Sequence, residues 1–252
     1  MNSKYIVHFN TKIKATDRNK LTRENYCIPT SKPCYQTRKA LLFPKKYYEK
    51  NKVYPPNCLK IYYVFPNDVF CDDEHYTEQW VEEHYRICME NFDLNMQFFS
   101  SLDKSDFQKK LSHLQKKNRL KEIFDLKEVS GIEGIYILVL DEYKQIYIGE
   151  SKDIKKRILS HWSKIKEFDR LIFGNVESSV LSIDSFGALD TTRIFYKPVS
   201  WRENIDKIEE RLVDDFDKKY LLNRVAGGLN AEEDKEVRNL SLLASRQNRK
   251  LK

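Results

Sequence analysis

The sequence predicts an α+β fold: a small antiparallel three-stranded sheet flanked by helices, behind an N-terminal domain that is mixed or mostly helical. Two observations carry this. After residue 130, apolar β-type runs and amphipathic helical stretches follow one another in the order hairpin, helix, strand, helix. The rare residues are also segregated, with all seven glycines after residue 130, all five cysteines before residue 89 and six of the seven prolines before residue 67. The chain therefore has two compositional halves. Their junction is expected near Lys127 to Gly131, where a helical pattern runs out in Val129, Ser130 and Gly131. This gives an N-terminal module over 1–127, a second domain over 128–230 and a basic helical tail over 231–252.

Taken in order, KIYYVF before Pro66 reads as a short strand, and the proline-containing stretches Cys27 to Pro33 and Tyr54 to Pro56 read as loops. Thr77 to Phe99 places Trp80, Val81, His84, Tyr85, Cys88 and Phe92 at helical spacing. Ser105 and Gln108 have the form of a capping box, heading a second helix through Phe107, Leu111, Leu114, Ile123 and Phe124. Gly134 to Leu140 and Gln145 to Gly149, joined by the polar Asp141 to Lys144, read as a hairpin. A helix is expected from about Lys152 to Phe168, with Ile154, Ile158, Trp162 and Ile165 as its buried stripe. Arg193 to Lys197 reads as the third strand, and Ser200 with Glu203 as a capping box for a long helix reaching about Leu222.

Composition narrows the class of protein. The chain of 252 residues is 40% hydrophobic and carries 15 Tyr, 14 Phe and 3 Trp, too many aromatics for a disordered chain. Its longest plainly apolar run, Ile135 to Leu140, is far short of the roughly 20 residues that span a bilayer, and the opening residues lack the pattern of a signal peptide. An intracellular, cytoplasmic protein without a membrane partner is expected, its five cysteines reduced. Net charge is +7, from 45 Lys+Arg against 38 Asp+Glu, which points weakly to a polyanionic partner.

The chemistry concentrates in the hairpin. Gly134-Ile135-Tyr136 is followed by Tyr147-Ile148-Gly149, the second tyrosine eleven residues after the first; Arg157 and His161 come ten and fourteen residues beyond Tyr147. Over about residues 131–230 this resembles the GIY-YIG nuclease family. The resemblance implies a metal-dependent endonuclease that hydrolyses DNA phosphodiesters, of restriction or mobile-element type. Its catalytic set would be Tyr136, Tyr147, Arg157, His161, Glu209 and Asn223, with Tyr136 as base. Glu209 would bind one Mg²⁺ or Mn²⁺ ion.

The residues support parts of this independently. Arg157 and His161 are four apart, so they project from neighbouring turns of one helix face, at the edge of its apolar stripe. Of the adjacent carboxylates, Glu209 falls within the stripe of Ile205, Ile208, Leu212, Val213, Phe216 and Tyr220 and Glu210 outside it. A buried carboxylate needs a compensating cation, which a divalent ion or an arginine would supply. Asn223 precedes Gly227-Gly228 and doubles as a candidate helix C-cap, with Asn230 as the alternative. Lys152, Lys155 and Lys156 are candidate DNA contacts, and Lys109, Lys110, Lys116, Lys117, Arg119 and Lys121 form a further basic cluster. Cys71 with His75 and His84 with Cys88 have spacings a structural zinc could use, but His84 and Cys88 also lie on an apolar stripe, and no zinc is expected. Rival functions are a structure-specific repair or toxin-like nuclease, and a non-catalytic nucleic-acid-binding protein on a nuclease scaffold.

Overall fold

The structure, a computed structural model, describes residues 4–34, 75–172, 176–177, 179–200 and 204–223. The strand expected in KIYYVF, the loop at Tyr54 to Pro56, Cys71, Asn230, the glycine pair 227–228 and the tail 231–252 lie outside the described residues.

The chain begins with a hairpin, β1 (Tyr5–His8) and β2 (Thr11–Lys14), that the sequence reading did not anticipate. Its two-residue turn puts both Phe9 (φ 44°) and Asn10 (φ 52°) in the left-handed region, the backbone twist that a tight hairpin requires. The tip is fastened to the rest of the molecule. Leu126 donates its N–H to the Phe9 carbonyl at 3.1 Å, and the Asn10 amide donates to Asp125 at 2.6 Å.

Among the described residues, the next helices are a short α1 (Arg23–Tyr26) and the long α2 (Glu78–Ser101), whose N-cap Thr77 accepts from the Trp80 N–H. The next helix, α3 (Lys104–Asn118), is capped by Asp103 rather than by the expected Ser105 box. Gln108 instead bridges to Asp141 at 2.7 Å and to Arg193 at 3.0 Å. The helix also stops earlier than predicted. Arg119 turns the chain with φ 53°, and Ile123, placed on the helix by its spacing, belongs to a strand, β3 (Lys121–Ile123). Phe124, the other residue assigned to that helical stripe, is 73% exposed.

That strand corrects the predicted three-stranded sheet to four strands. β3, β4 (Gly134–Leu140), β5 (Gln145–Ser151) and β6 (Arg193–Pro198) pair antiparallel in the order β3-β6-β4-β5. All seven residues of the central β4 are buried because both faces of the sheet are covered. Tyr136, Leu138 and Leu140 face a core that includes Met89, Phe92 and Phe99 of α2 together with Ile154 and Ile158. Ile135, Ile137 and Val139 face a second core containing Phe107, Leu111 and Leu114 of α3 with Ile208, Leu212 and Val213.

The remaining helices are α4 (Ile154–Ser163), N-capped by Asp153, and α5 (Ile205–Asp215), N-capped by Asn204. Both are shorter than predicted. The cap of α5 lies at Asn204 rather than Ser200, since β6 runs to Pro198 and Asn is as good an N-cap as Ser. Because α4 ends at Ser163, Ile165 is not part of its buried stripe and is 57% exposed. No described helix is long and apolar enough to cross a membrane.

Candidate active site

The two glycines of the hairpin are set by close approach. A methyl group on Gly134 would lie 2.3 Å from the Lys197 carbonyl of β6, and one on Gly149 would lie 2.5 Å from the Tyr136 hydroxyl. Tyr136 therefore lies across the space that Gly149 leaves empty. Cross-strand partners share a face, and Tyr136 pairs with Gly149 as Leu138 pairs with Tyr147, so both tyrosines point to the α4 side of the sheet. α4 packs on that side through Ile154 and Ile158, which brings His161 against the two rings. The His161 ring centroid is 6.0 Å from that of Tyr136 and 5.2 Å from that of Tyr147.

The closest polar contacts form a chain. The Tyr136 hydroxyl and His161 Nε2 are 2.7 Å apart, and His161 Nδ1 is 2.6 Å from Asp184 Oδ1. Lys164 Nζ lies 3.1 Å from the other Asp184 oxygen. Asp184 is a contact that sequence reasoning missed. It sits in a short turn, Ile183–Ser185, and no spacing rule ties position 184 to a helix that ended at Ser163, twenty-one residues earlier.

Burial raises the Tyr136 hydroxyl well above its ordinary range, with the Tyr147 phenol adding to this and the Arg157 guanidinium opposing it. Burial also pushes Tyr147 up to about 12, again against the pull of Arg157. Desolvation lowers His161, partly offset by Asp184, so its imidazole is neutral at pH 7. Asp184 is partly buried, yet its hydrogen bond to His161 and the Lys164 ammonium hold it well below the usual carboxylate range.

The opposite face of the sheet supplies the carboxylates. Glu150 pairs with Ile135 and so projects toward α5, which contributes Asp206 and Glu209. Glu209 is 7% exposed, on the buried side of α5 as its helical phase requires, and Glu210 is not buried. Burial and the neighbouring Glu150, Asp206 and Glu210 push Glu209 up to about 8, with Arg157 acting in the other direction. Burial and Asp206 likewise raise Glu150 to about 7, and its Oε2 is buried without a hydrogen-bond partner among the described residues. Arg157, reaching from α4, thus acts on both phenols and on Glu209. Tyr136, Tyr147, His161, Arg157 and Glu209 thus meet around the end of β5, an edge strand with a helix on either side.

Asn223 stands apart from them. Its amide donates to the Ile148 carbonyl at 2.7 Å and accepts the Ile148 N–H at 3.0 Å, which covers the free edge of β5 in the middle of Tyr147-Ile148-Gly149. It is not the expected C-cap, because α5 ends at Asp215. The amide is committed to backbone, and so it positions the strand. Lys152 and Lys156 are exposed at the start of α4, where Lys156 pairs with Asp153 at 3.3 Å; Lys155 is half-buried near Asp125. The other motif residues serve packing. His84 stacks on Trp80 and bonds the Phe168 carbonyl at 2.9 Å, and Cys88 is buried against Cys27.

Two phenols, an imidazole, a guanidinium and a carboxylate gathered at one strand end give this small α+β unit a donor for an anion and groups able to pass a proton. Residues 132–221 match the family model of the GIY-YIG catalytic domain, and this part of the chain is a GIY-YIG domain. The family is one of nucleases, so the chemistry of this domain is phosphodiester hydrolysis. No curated protein and no solved structure matches the chain.

Proposed function

We propose that the protein is a metal-dependent DNA endonuclease of restriction or mobile-element type. The observation that carries this is the convergence of Tyr136, Tyr147, Arg157, His161 and Glu209, taken from four elements, on one end of β5. A scaffold kept only for binding has no need to bury a carboxylate beside an arginine and two phenols.

The residues fit a divalent cation. Among the described residues no group of three or more His, Cys, Asp or Glu is arranged to enclose an ion. Mg²⁺, however, usually keeps several waters and takes only one or two protein carboxylates beside substrate phosphate oxygens. Glu209 would hold it, with Glu150 and Asp206 adding negative potential and the unpartnered Glu150 Oε2 close by. A bound ion supplies Lewis-acid stabilisation of the charge on the leaving oxygen. The chain's own groups do the rest. Arg157 donates to the phosphoryl oxygens as charge builds on them. The Tyr136 hydroxyl, held by His161, accepts a proton from the attacking water, and Tyr147 packs against the imidazole to keep it in place. Lys152, Lys155 and Lys156 would track the DNA backbone, and binding should weaken steeply with salt.

The test is incubation of the purified protein with supercoiled plasmid and with branched and single-stranded DNA, in Mg²⁺ and in EDTA. Nicking or linearisation confined to the Mg²⁺ samples is expected. Cleavage that persists in EDTA removes the metal from the mechanism, and inactivity on every substrate favours a non-catalytic binding protein.

A further inference from the structure

We propose that Asp184 is a positioning residue of a Tyr136–His161–Asp184 proton relay, fixing the His161 tautomer so that Nε2 takes the Tyr136 proton as cleavage begins. The inference rests on the nuclease reading and adds a residue and a proton route to it.

With the imidazole neutral, as its burial favours, the geometry permits one assignment of hydrogens. An ionised carboxylate only accepts, so the 2.6 Å contact between Asp184 Oδ1 and His161 Nδ1 requires the proton to be on Nδ1. A neutral imidazole protonated there has a bare Nε2. The 2.7 Å contact to Tyr136 is then a hydrogen bond in which the phenol donates. The other tautomer would aim a lone pair at a carboxylate inside a site where His161 is 4% exposed.

Asp184 is itself held from several directions. Lys164 meets its second oxygen at 3.1 Å, at the wall of a cavity of about 680 Å³. Its own N–H lies 3.3 Å from the Ser182 hydroxyl, and Ile183 and Phe186 on either side are buried in the core. This rigidity suits a group whose task is orientation.

The proton count closes. As the water oxygen bonds to phosphorus, its proton passes to the Tyr136 oxygen while the original Tyr136 proton moves to His161 Nε2. The bond from phosphorus to the leaving oxygen breaks, and the imidazolium, stabilised by Asp184, later returns its proton to that oxygen or to solvent. Tyr136 never has to persist as a phenolate. Burial would oppose one, since it raises this hydroxyl well above the usual phenol range. The charged and titratable groups that face His161 are Tyr136 on β4, Tyr147 on β5, Arg157 on α4, Lys164 at its C-cap, and Asp184; Glu209 on α5 acts on the two phenols.

The experiment compares full-length wild type, Asp184→Asn and Asp184→Glu. It measures single-turnover cleavage of one duplex at saturating protein from pH 5.5 to 9.5, beside a binding isotherm without Mg²⁺. Asparagine can donate to Nδ1 and so stabilise the wrong tautomer, a change that in another hydrolytic triad costs about 10⁴-fold. At pH 7 Asp184→Asn should cleave at least about a hundredfold more slowly with affinity within about threefold. Wild type should reach its rate plateau by neutral pH. The Asn variant should have no such plateau and climb about tenfold per pH unit, as solvent must then deprotonate Tyr136, while Asp184→Glu recovers part of the rate at pH 7. An Asn variant with the wild-type pH profile and a rate within threefold would overturn the relay while leaving the nuclease reading intact. If Asp184→Asn does not fold, ¹⁵N shifts of His161 in the wild-type protein decide. The Nδ1–H tautomer is expected, and the Nε2–H tautomer overturns the proposal. Failure of the wild type to cleave any nucleic acid tells against the nuclease reading instead, and the tautomer measurement remains valid.

Discussion

Arg157 bears on several groups of the site at once, since it opposes the effect of burial at Tyr136, Tyr147 and Glu209 together. Arg157→Ala should therefore lower the single-turnover rate at least about a hundredfold, the usual result of losing one preorganised donor to a developing anion. Affinity should change little, because one lost phosphate contact alters the salt slope by only about one unit. Lysine should rescue poorly because it keeps the charge and lacks the planar fork. A cleavage rate and a binding isotherm on the same duplex check this, and normal cutting at saturation would make Arg157 a contact for binding alone. The adjacent glutamates give a sharper contrast. Glu209 is buried and Glu210 is not. Glu209→Gln should abolish Mg²⁺-dependent cleavage and leave DNA binding largely intact, whereas Glu210→Gln should cleave at close to the wild-type rate. The reverse result would move the metal to the other carboxylate.

At the level of elements, the segment that carries Asp184 is tied down by α2. Asn91 donates to the carbonyls of Val176 at 2.8 Å and Ser179 at 2.7 Å, and Asn95 donates to Ser179 at 2.9 Å. Both asparagines are buried, so these bonds replace water that the segment's backbone would otherwise need. Asn95→Leu keeps the volume but removes the donor to Ser179 and the acceptor of the Leu181 N–H. It should cost about 1–3 kcal/mol of stability, the usual penalty for orphaning a buried partner, measurable in urea. If the segment also holds Asp184 in register, cleavage should fall with DNA affinity unchanged. A variant that is less stable yet cuts at the wild-type rate when folded would separate the two roles. The same view explains Asn223, which occupies the exposed edge of β5 and so keeps Tyr147 and Gly149 opposite β4.

For the whole molecule, the first half of the chain is built into the cores that position the site. Phe92 and Phe99 pack in the core behind Tyr136, Phe107 packs in the core behind Ile135, and β3 extends the sheet from β6. Burying each phenylalanine contributes about 1.5–3 kcal/mol, so losing three of them approaches the 5–15 kcal/mol by which a typical domain is stable. A fragment of residues 128–230 should therefore show no cooperative thermal transition, whereas the full chain should melt with one. A fragment that melts cooperatively and cleaves DNA would show that the first half is dispensable for the site. The hairpin, its two glycines, the phase of Arg157 with His161 and the burial of Glu209 were legible in the sequence, because period and local spacing are properties of a strand or helix by itself. Helix ends were read less well, since Asp103, Asn204 and the left-handed Arg119 competed successfully with the caps and stripes that spacing favoured. The fourth strand, the β1–β2 hairpin and Asp184 were decided only in three dimensions. Each depends on a partner far along the chain: β3 on β6, the Phe9 and Asn10 turn on residues 125–126, and Asp184 on His161. Such pairings follow from how packed layers bring distant segments together, and local sequence spacing carries no record of them.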